Sequence, residues 1–152
     1  MSDIVAIDLD GALGDTRPLW DAFLADSARR FAAIAPLDPA SLPRDRGEAA
    51  TELDGWAESG VGDWRRALER FAEDHAGVYL RPDPGANAAV RGLKRSGASV
   101  VVFTDAPDVL ARIALSHLGV GRAVDRLETG TGARERAAAG ARLVLMADDL
   151  TG

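Results

Sequence analysis

The chain has 152 residues, of which 47% are apolar, enough for one domain with a substantial hydrophobic centre. Its 24 acidic residues against 18 basic ones give a net charge of −6. With no local basic patch to offset that charge, a nucleic-acid or membrane-surface partner is not expected. There is no cysteine and there are two isolated histidines, which leaves no disulfide framework and no thiolate or histidine-rich zinc site, so any metal is expected to be oxygen-liganded.

The first predicted element is a buried strand, Ile4-Val5-Ala6-Ile7, which ends in Asp8-Leu9-Asp10-Gly11. That apolar run is too short for a signal sequence or a membrane span, so a cytoplasmic location is expected. Side chains alternate along a strand, which sends Asp8 and Asp10 in the same general direction. At the carboxyl end of a strand in an α/β chain, two acids fall in the crevice where such sheets bind ligands. An Asp- and Gly-rich turn that closes the strand accounts for the same residues.

From about Asp15 to Tyr79 the apolar spacing is helical and no convincing strand occurs. A helix starting near Pro18 places Leu19, Trp20, Phe23, Leu24, Ala28, Phe31 and Ala32 on roughly one face. Three prolines break the segment from Pro36 to Pro43, which reads as a loop or as a short helix after Asp38-Pro39. A second helix is predicted over Glu48 to Ser59, ended by Gly60-Val61-Gly62, and Asp63 caps a third over Trp64 to His75. Trp20, Trp56 and Trp64 are expected to pack the core of this helical region.

Strand and helix then alternate: a helix over Pro84 to Gly97, a buried strand Ser99 to Thr104, and a helix over Pro107 to Leu118. A short strand near Ala123 to Leu127, a helix over Ala133 to Ala139 and a strand Arg142 to Ala147 complete the pattern. Near-continuous β-branched runs suit a parallel sheet buried on both faces. Parallel strands would gather Asp8 and Asp10, Thr104 and Asp105, and Asp148 and Asp149 at one edge. Like charges about 4 Å apart repel by roughly 4 kcal/mol at an effective dielectric near 20, and a bound Mg²⁺ relieves that repulsion. Magnesium takes a few carboxylate oxygens, water and a substrate phosphate, so the pattern points to a metal-dependent phosphate site.

The motif order resembles the haloacid dehalogenase-like hydrolase superfamily. Asp8-Leu9-Asp10-Gly11 with Leu13 and Asp15-Thr16 is similar to its first motif, Thr104 to its second, and Asp148-Asp149 to its fourth. Arg81-Pro82-Asp83-Pro84-Gly85, Leu93-Lys94-Arg95-Ser96-Gly97 and Thr104-Asp105-Ala106-Pro107 are similar to its phosphoglycolate phosphatase-like branch, and Leu115 to Val120 continues the likeness. The resemblance implies an α/β Rossmann-like parallel core of residues 1–14 and 81–152, with a helical cap of residues 15–80 inserted after the first strand. It further implies that Asp8 attacks phosphorus to give an aspartyl-phosphate, that Asp10 acts as acid and then base, and that Thr104 hydrogen-bonds the phosphoryl group. Mg²⁺ is implied on Asp8, the backbone carbonyl of Asp10, and Asp148 or Asp149. An acid at Asp10 favours phosphate esters over carbon–halogen bonds.

Two departures stand out. The family's third motif is usually a lysine after the second motif, but Lys94, the sole lysine, precedes it. Arg134 has the most suitable position to replace it, ahead of Arg136 and Arg126, although a solvated helix residue explains Arg134 equally well. Family members also usually continue past Asp149-Leu150-Thr151-Gly152 through another helix and strand. The shortened core would leave the last strand as an exposed edge, expected of a shortened form, of a native form that dimerises edge to edge, or of a decayed pseudo-enzyme. The expected activity is Mg²⁺-dependent hydrolysis of a small phosphorylated metabolite. The alternatives are a non-catalytic binding protein and, further off, a phosphosugar mutase or a dehalogenase.

Overall fold

The computed structural model describes residues 3–146. Among them, β1 (Ile4–Asp8), β2 (Ser99–Thr104), β3 (Arg126–Thr129) and β4 (Leu143–Leu145) form one parallel sheet in the order β3-β2-β1-β4. Around it lie α1 (Arg17–Arg30), α2 (Arg46–Trp56), α3 (Trp64–Tyr79), α4 (Pro84–Arg95), α5 (Asp108–Leu118) and α6 (Ala133–Ala138). Three of these helices, α1 to α3, precede α4 in the connection between β1 and β2. The α/β architecture with a helical insertion after the first strand is as the residue pattern anticipates.

The period of two along each strand divides the core. Val5 and Ile7 of β1 and Val100 and Val102 of β2 join the large cluster that includes residues of α1 to α5. Ala6, Val101 and Phe103 face the other way, against Ala133 and Ala137 of α6. Register pairs Ile7 with Val102 and Asp8 with Phe103, so the ends of β1 and β2 lie side by side.

Local chemistry explains the helix starts. Asp63 accepts hydrogen bonds from the backbone N–H groups of Arg65 and Arg66, and Asp83 from those of Gly85 and Ala86, satisfying donors that the first helical turn leaves free. The insertion is held by aromatic edges: Trp20 meets Trp64 at 6.2 Å and Phe23 meets Phe71 at 5.8 Å between ring centroids. Trp56 packs on Phe31 and donates its indole N–H to the Ala35 carbonyl. The tryptophans therefore build this core.

Four expectations shift. Ala32 is exposed, because α1 ends at Arg30. The second helix begins at Arg46 rather than Glu48, since Asp45 caps it by accepting from the Glu48 N–H. Residues 121–123 form a single 3-10 turn, so the third strand starts at Arg126 rather than Ala123. The first strand ends at Asp8: Leu9–Leu13 is a wide turn in which Gly11 adopts φ 105°, a conformation that suits glycine. The alternation rule therefore does not extend to Asp10. Asp148 and Asp149 lie outside the described residues.

Candidate active site

At the carboxyl edge of the sheet lies a cavity of about 890 Å³, lined by Asp8, Asp10, Thr104 and Asp105 from the core and by Arg134 at the start of α6. Trp20, Leu24 and Arg46 line it from the helical insertion. Asp8 and Asp10 are brought together by the wide turn: the Asp10 backbone N–H donates to Asp8 Oδ1 at 3.1 Å. No described residue donates a hydrogen bond to Asp8 Oδ2. Burial, and then the neighbouring Asp10 charge, push the Asp8 carboxyl up to about 6, against the Asp10 N–H and the positive charges of Arg17 and Arg134.

Asp10 is placed differently. Its Oδ1 accepts from Thr16 N at 2.8 Å and Thr16 Oγ1 at 2.7 Å. Its Oδ2 accepts from Arg46 Nη2 at 2.5 Å and Thr104 Oγ1 at 2.6 Å. Thr104 Oγ1 in turn accepts from the Ala106 N–H and lies 3.3 Å from Arg46 Nη2. Both hydroxyl side chains are buried, so the carboxylate is held in a saturated network rather than left free in the cavity.

Sequence reasoning missed Arg46, which is only 3% exposed. Its Nε donates to Asp105 Oδ1 at 2.9 Å, its backbone N–H to Asp105 Oδ2 at 3.0 Å, and its Nη1 to Thr16 Oγ1 at 2.7 Å. A cation in the first turn of a helix opposes the helix dipole. The pattern Asp45-Arg46-Gly47-Glu48 is a readable helix start, but an arginine just inside it carries no signal of burial, since Arg65 and Arg66 follow the Asp63 cap in the same way and are exposed.

Of the arginines weighed from the sequence, Arg134 alone lines the cavity. Arg126 and Arg136 instead pair with Glu128, and Arg136 also donates to the carbonyls of Thr129 and Thr131. Lys94 binds Asp125, which also accepts the Val100 N–H near the opposite end of β2, so the sole lysine is remote from the cavity. His117 is exposed and His75 stacks on Phe71. Gly60 and Gly62 do not line the cavity.

The donor set suits a hard cation in part. Asp8 has an oxygen to which no described residue donates and a carboxyl whose ionisation the fold opposes, both of which a divalent ion would relieve. The Asp10 side chain is engaged elsewhere, which leaves its backbone carbonyl as the available donor. Among the described residues no three acids or histidines gather as a metal cage. No helix among them is long and apolar enough to cross a membrane.

A family model described as haloacid dehalogenase-like hydrolase matches residues 3–142. No curated protein matches the chain. Among solved structures, a hydrolase from Pseudomonas syringae shares the fold at TM-score 0.64 and 18% identity, over 96% of this chain and 76% of that one. A predicted phosphoglycolate phosphatase from Haemophilus somnus gives 0.54 and 14%, over 86% and 63%. A β-phosphoglucomutase from Clostridium difficile gives 0.54 and 17%, over 92% and 71%. The chain thus spans less than two thirds of the length of the H. somnus protein. With the family model running over nearly all of a parallel-sheet chain whose fold these structures share, the protein belongs to the haloacid dehalogenase-like hydrolases.

Proposed function

We propose that the protein hydrolyses a small phosphate monoester with Mg²⁺, through a phosphoryl group carried on Asp8. The observation that carries this reading is Asp8 beside Asp10 at the end of β1, facing a cavity with Thr104 and Arg134 on its wall. An Asp8 oxygen forms a bond to phosphorus as the ester oxygen leaves and takes a proton from Asp10. Asp10 then removes a proton from water, whose oxygen attacks the same phosphorus, releasing inorganic phosphate and restoring Asp8. Thr104 and Arg134 hold the phosphoryl oxygens in place during both displacements. Asp8 and the Asp10 carbonyl, with Asp148 or Asp149, would hold Mg²⁺, which would supply charge neutralisation at the transferring group.

For Asp10 to serve as acid it must first leave the network of Thr16, Arg46 and Thr104 and take up a proton from solvent, which it then gives to the ester oxygen. That network also favours a second reading, a phosphate-binding protein that does not turn over. Hydrolysis of an aryl phosphate by wild type and Asp8→Asn, each with Mg²⁺ and with chelator, separates the two. Metal-dependent release that falls by orders of magnitude in the variant supports hydrolysis. No release from folded wild type across a broad phosphate-ester panel removes it.

A further inference from the structure

We propose that Arg46 is a phosphoryl-binding residue supplied by the helical insertion, with Asp10 and Asp105 standing in its fork until a phosphate replaces them. The inference rests on the phosphate-ester reading and adds to it a residue from outside the core. Arginine presents a planar fork that matches two oxygens of a carboxylate or of a phosphate. Here the fork is filled by two different carboxylates: Asp105 Oδ1 lies 2.9 Å from Nε and 2.8 Å from Nη2, while Asp10 Oδ2 lies 2.5 Å from Nη2. The same Nη2 is 3.3 Å from the Thr104 hydroxyl, the group assigned to the phosphoryl oxygens. A phosphate held by Thr104 is therefore within reach of Arg46 without any rearrangement of α2.

The neighbouring residues keep Arg46 in that position. Asp45 Oδ2 accepts from Thr131 Oγ1 at 2.5 Å, joining the start of α2 to the loop before α6. At Gly47 an added Cβ would lie 2.2 Å from Thr131 N and 2.3 Å from Thr131 Oγ1, so the two backbones meet with no space for a side chain. Asp45, Arg46 and Gly47 thus seat the insertion on the core at two points, Thr131 before α6 and the carboxylates of Asp10 and Asp105. The arrangement supplies a buried cation beside Thr104.

The test is the affinity for inorganic phosphate, measured by titration calorimetry in Mg²⁺ on wild type, Arg46→Ala, Arg46→Lys, Asp105→Asn and the double variant Arg46→Ala/Asp105→Asn. Folding is checked by circular dichroism. Arg46→Ala is expected to weaken phosphate about tenfold or more, the size of one lost charge-assisted contact. Arg46→Lys, which keeps the charge without the fork, falls between, and it carries the test if the alanine form does not fold. Asp105→Asn removes a competitor and is expected to tighten phosphate by about threefold or more, a gain that must vanish when Arg46 is alanine and shrink when it is lysine. A gain that came only from the lost Asp105 charge at the cavity wall would persist with alanine at position 46. Equal affinities for wild type and a folded Arg46 variant, or an Asp105→Asn gain that survives without Arg46, overturn the assignment while leaving the hydrolase reading in place. Absence of phosphate binding and of hydrolysis in wild type overturns both.

Discussion

Asp8→Asn removes a negative charge that the folded chain holds unfavourably. Burial and the Asp10 charge raise the Asp8 carboxyl from the ordinary 3.8 to about 6. Because the folded state binds this proton more tightly than the unfolded state, the stability it lends is complete below about 3.8 and is lost as pH rises through about 6. A displacement of that size corresponds to about 3 kcal/mol when undiluted, and partial exposure reduces it to roughly 1–2 kcal/mol. Asparagine is nearly isosteric and retains an oxygen for the Asp10 N–H that now donates at 3.1 Å, so packing and hydrogen bonding are preserved. The metal-free variant is therefore expected to melt roughly 2–8 °C above wild type at pH 8, with about half that free-energy gain at pH 5. Thermal unfolding followed by circular dichroism in chelator reads both. Mg²⁺ should then raise the melting temperature of wild type more than that of the variant. An unchanged or lower melting temperature at pH 8, or a gain of equal size at pH 5, refutes the electrostatic origin.

The same carboxyl links metal binding to pH: Mg²⁺ needs ionised Asp8, so its affinity in calorimetric titration should decline as pH drops through about 6 and be level above it. Arg134→Ala removes a charge that holds the Asp8 carboxyl down, so the acid limb of the kcat/KM profile should move to higher pH, and an unmoved limb would place Arg134 out of electrical contact. Gly47→Ala forces its Cβ against Thr131 backbone; a loss of about 1–3 kcal/mol by chemical denaturation is expected, and a variant as stable as wild type would show that this seat is loose. Leu53→Ala opens a cavity beneath α2 where the side chain is wholly buried, with an expected loss of about 2–5 kcal/mol in the same assay; a loss under 1 kcal/mol would show that the site collapses.

What the sequence by itself determined is what depends on near neighbours. Ser99 to Thr104 is a strand from end to end because Val100 to Thr104 are five consecutive β-branched or aromatic residues, the pattern of a strand covered on both faces. The cap at Asp63 was legible because an acid just after a glycine pair satisfies N–H groups two and three residues on. Asp8, Thr104 and Arg134 were placed by strand ends and motif order, and one cavity does contain all three. Tertiary structure decided the rest. Asp10 lies beyond the strand, so its direction is set by Thr16 and by Arg46, 36 residues away in the chain. Arg46 reads locally as one more surface arginine in an arginine-rich chain. Its burial exists only because the insertion folds back onto the carboxyl edge and brings it between Asp10 and Asp105, a 59-residue separation in the second case. Charge interactions of this kind depend on distance and burial, which no spacing along the chain encodes.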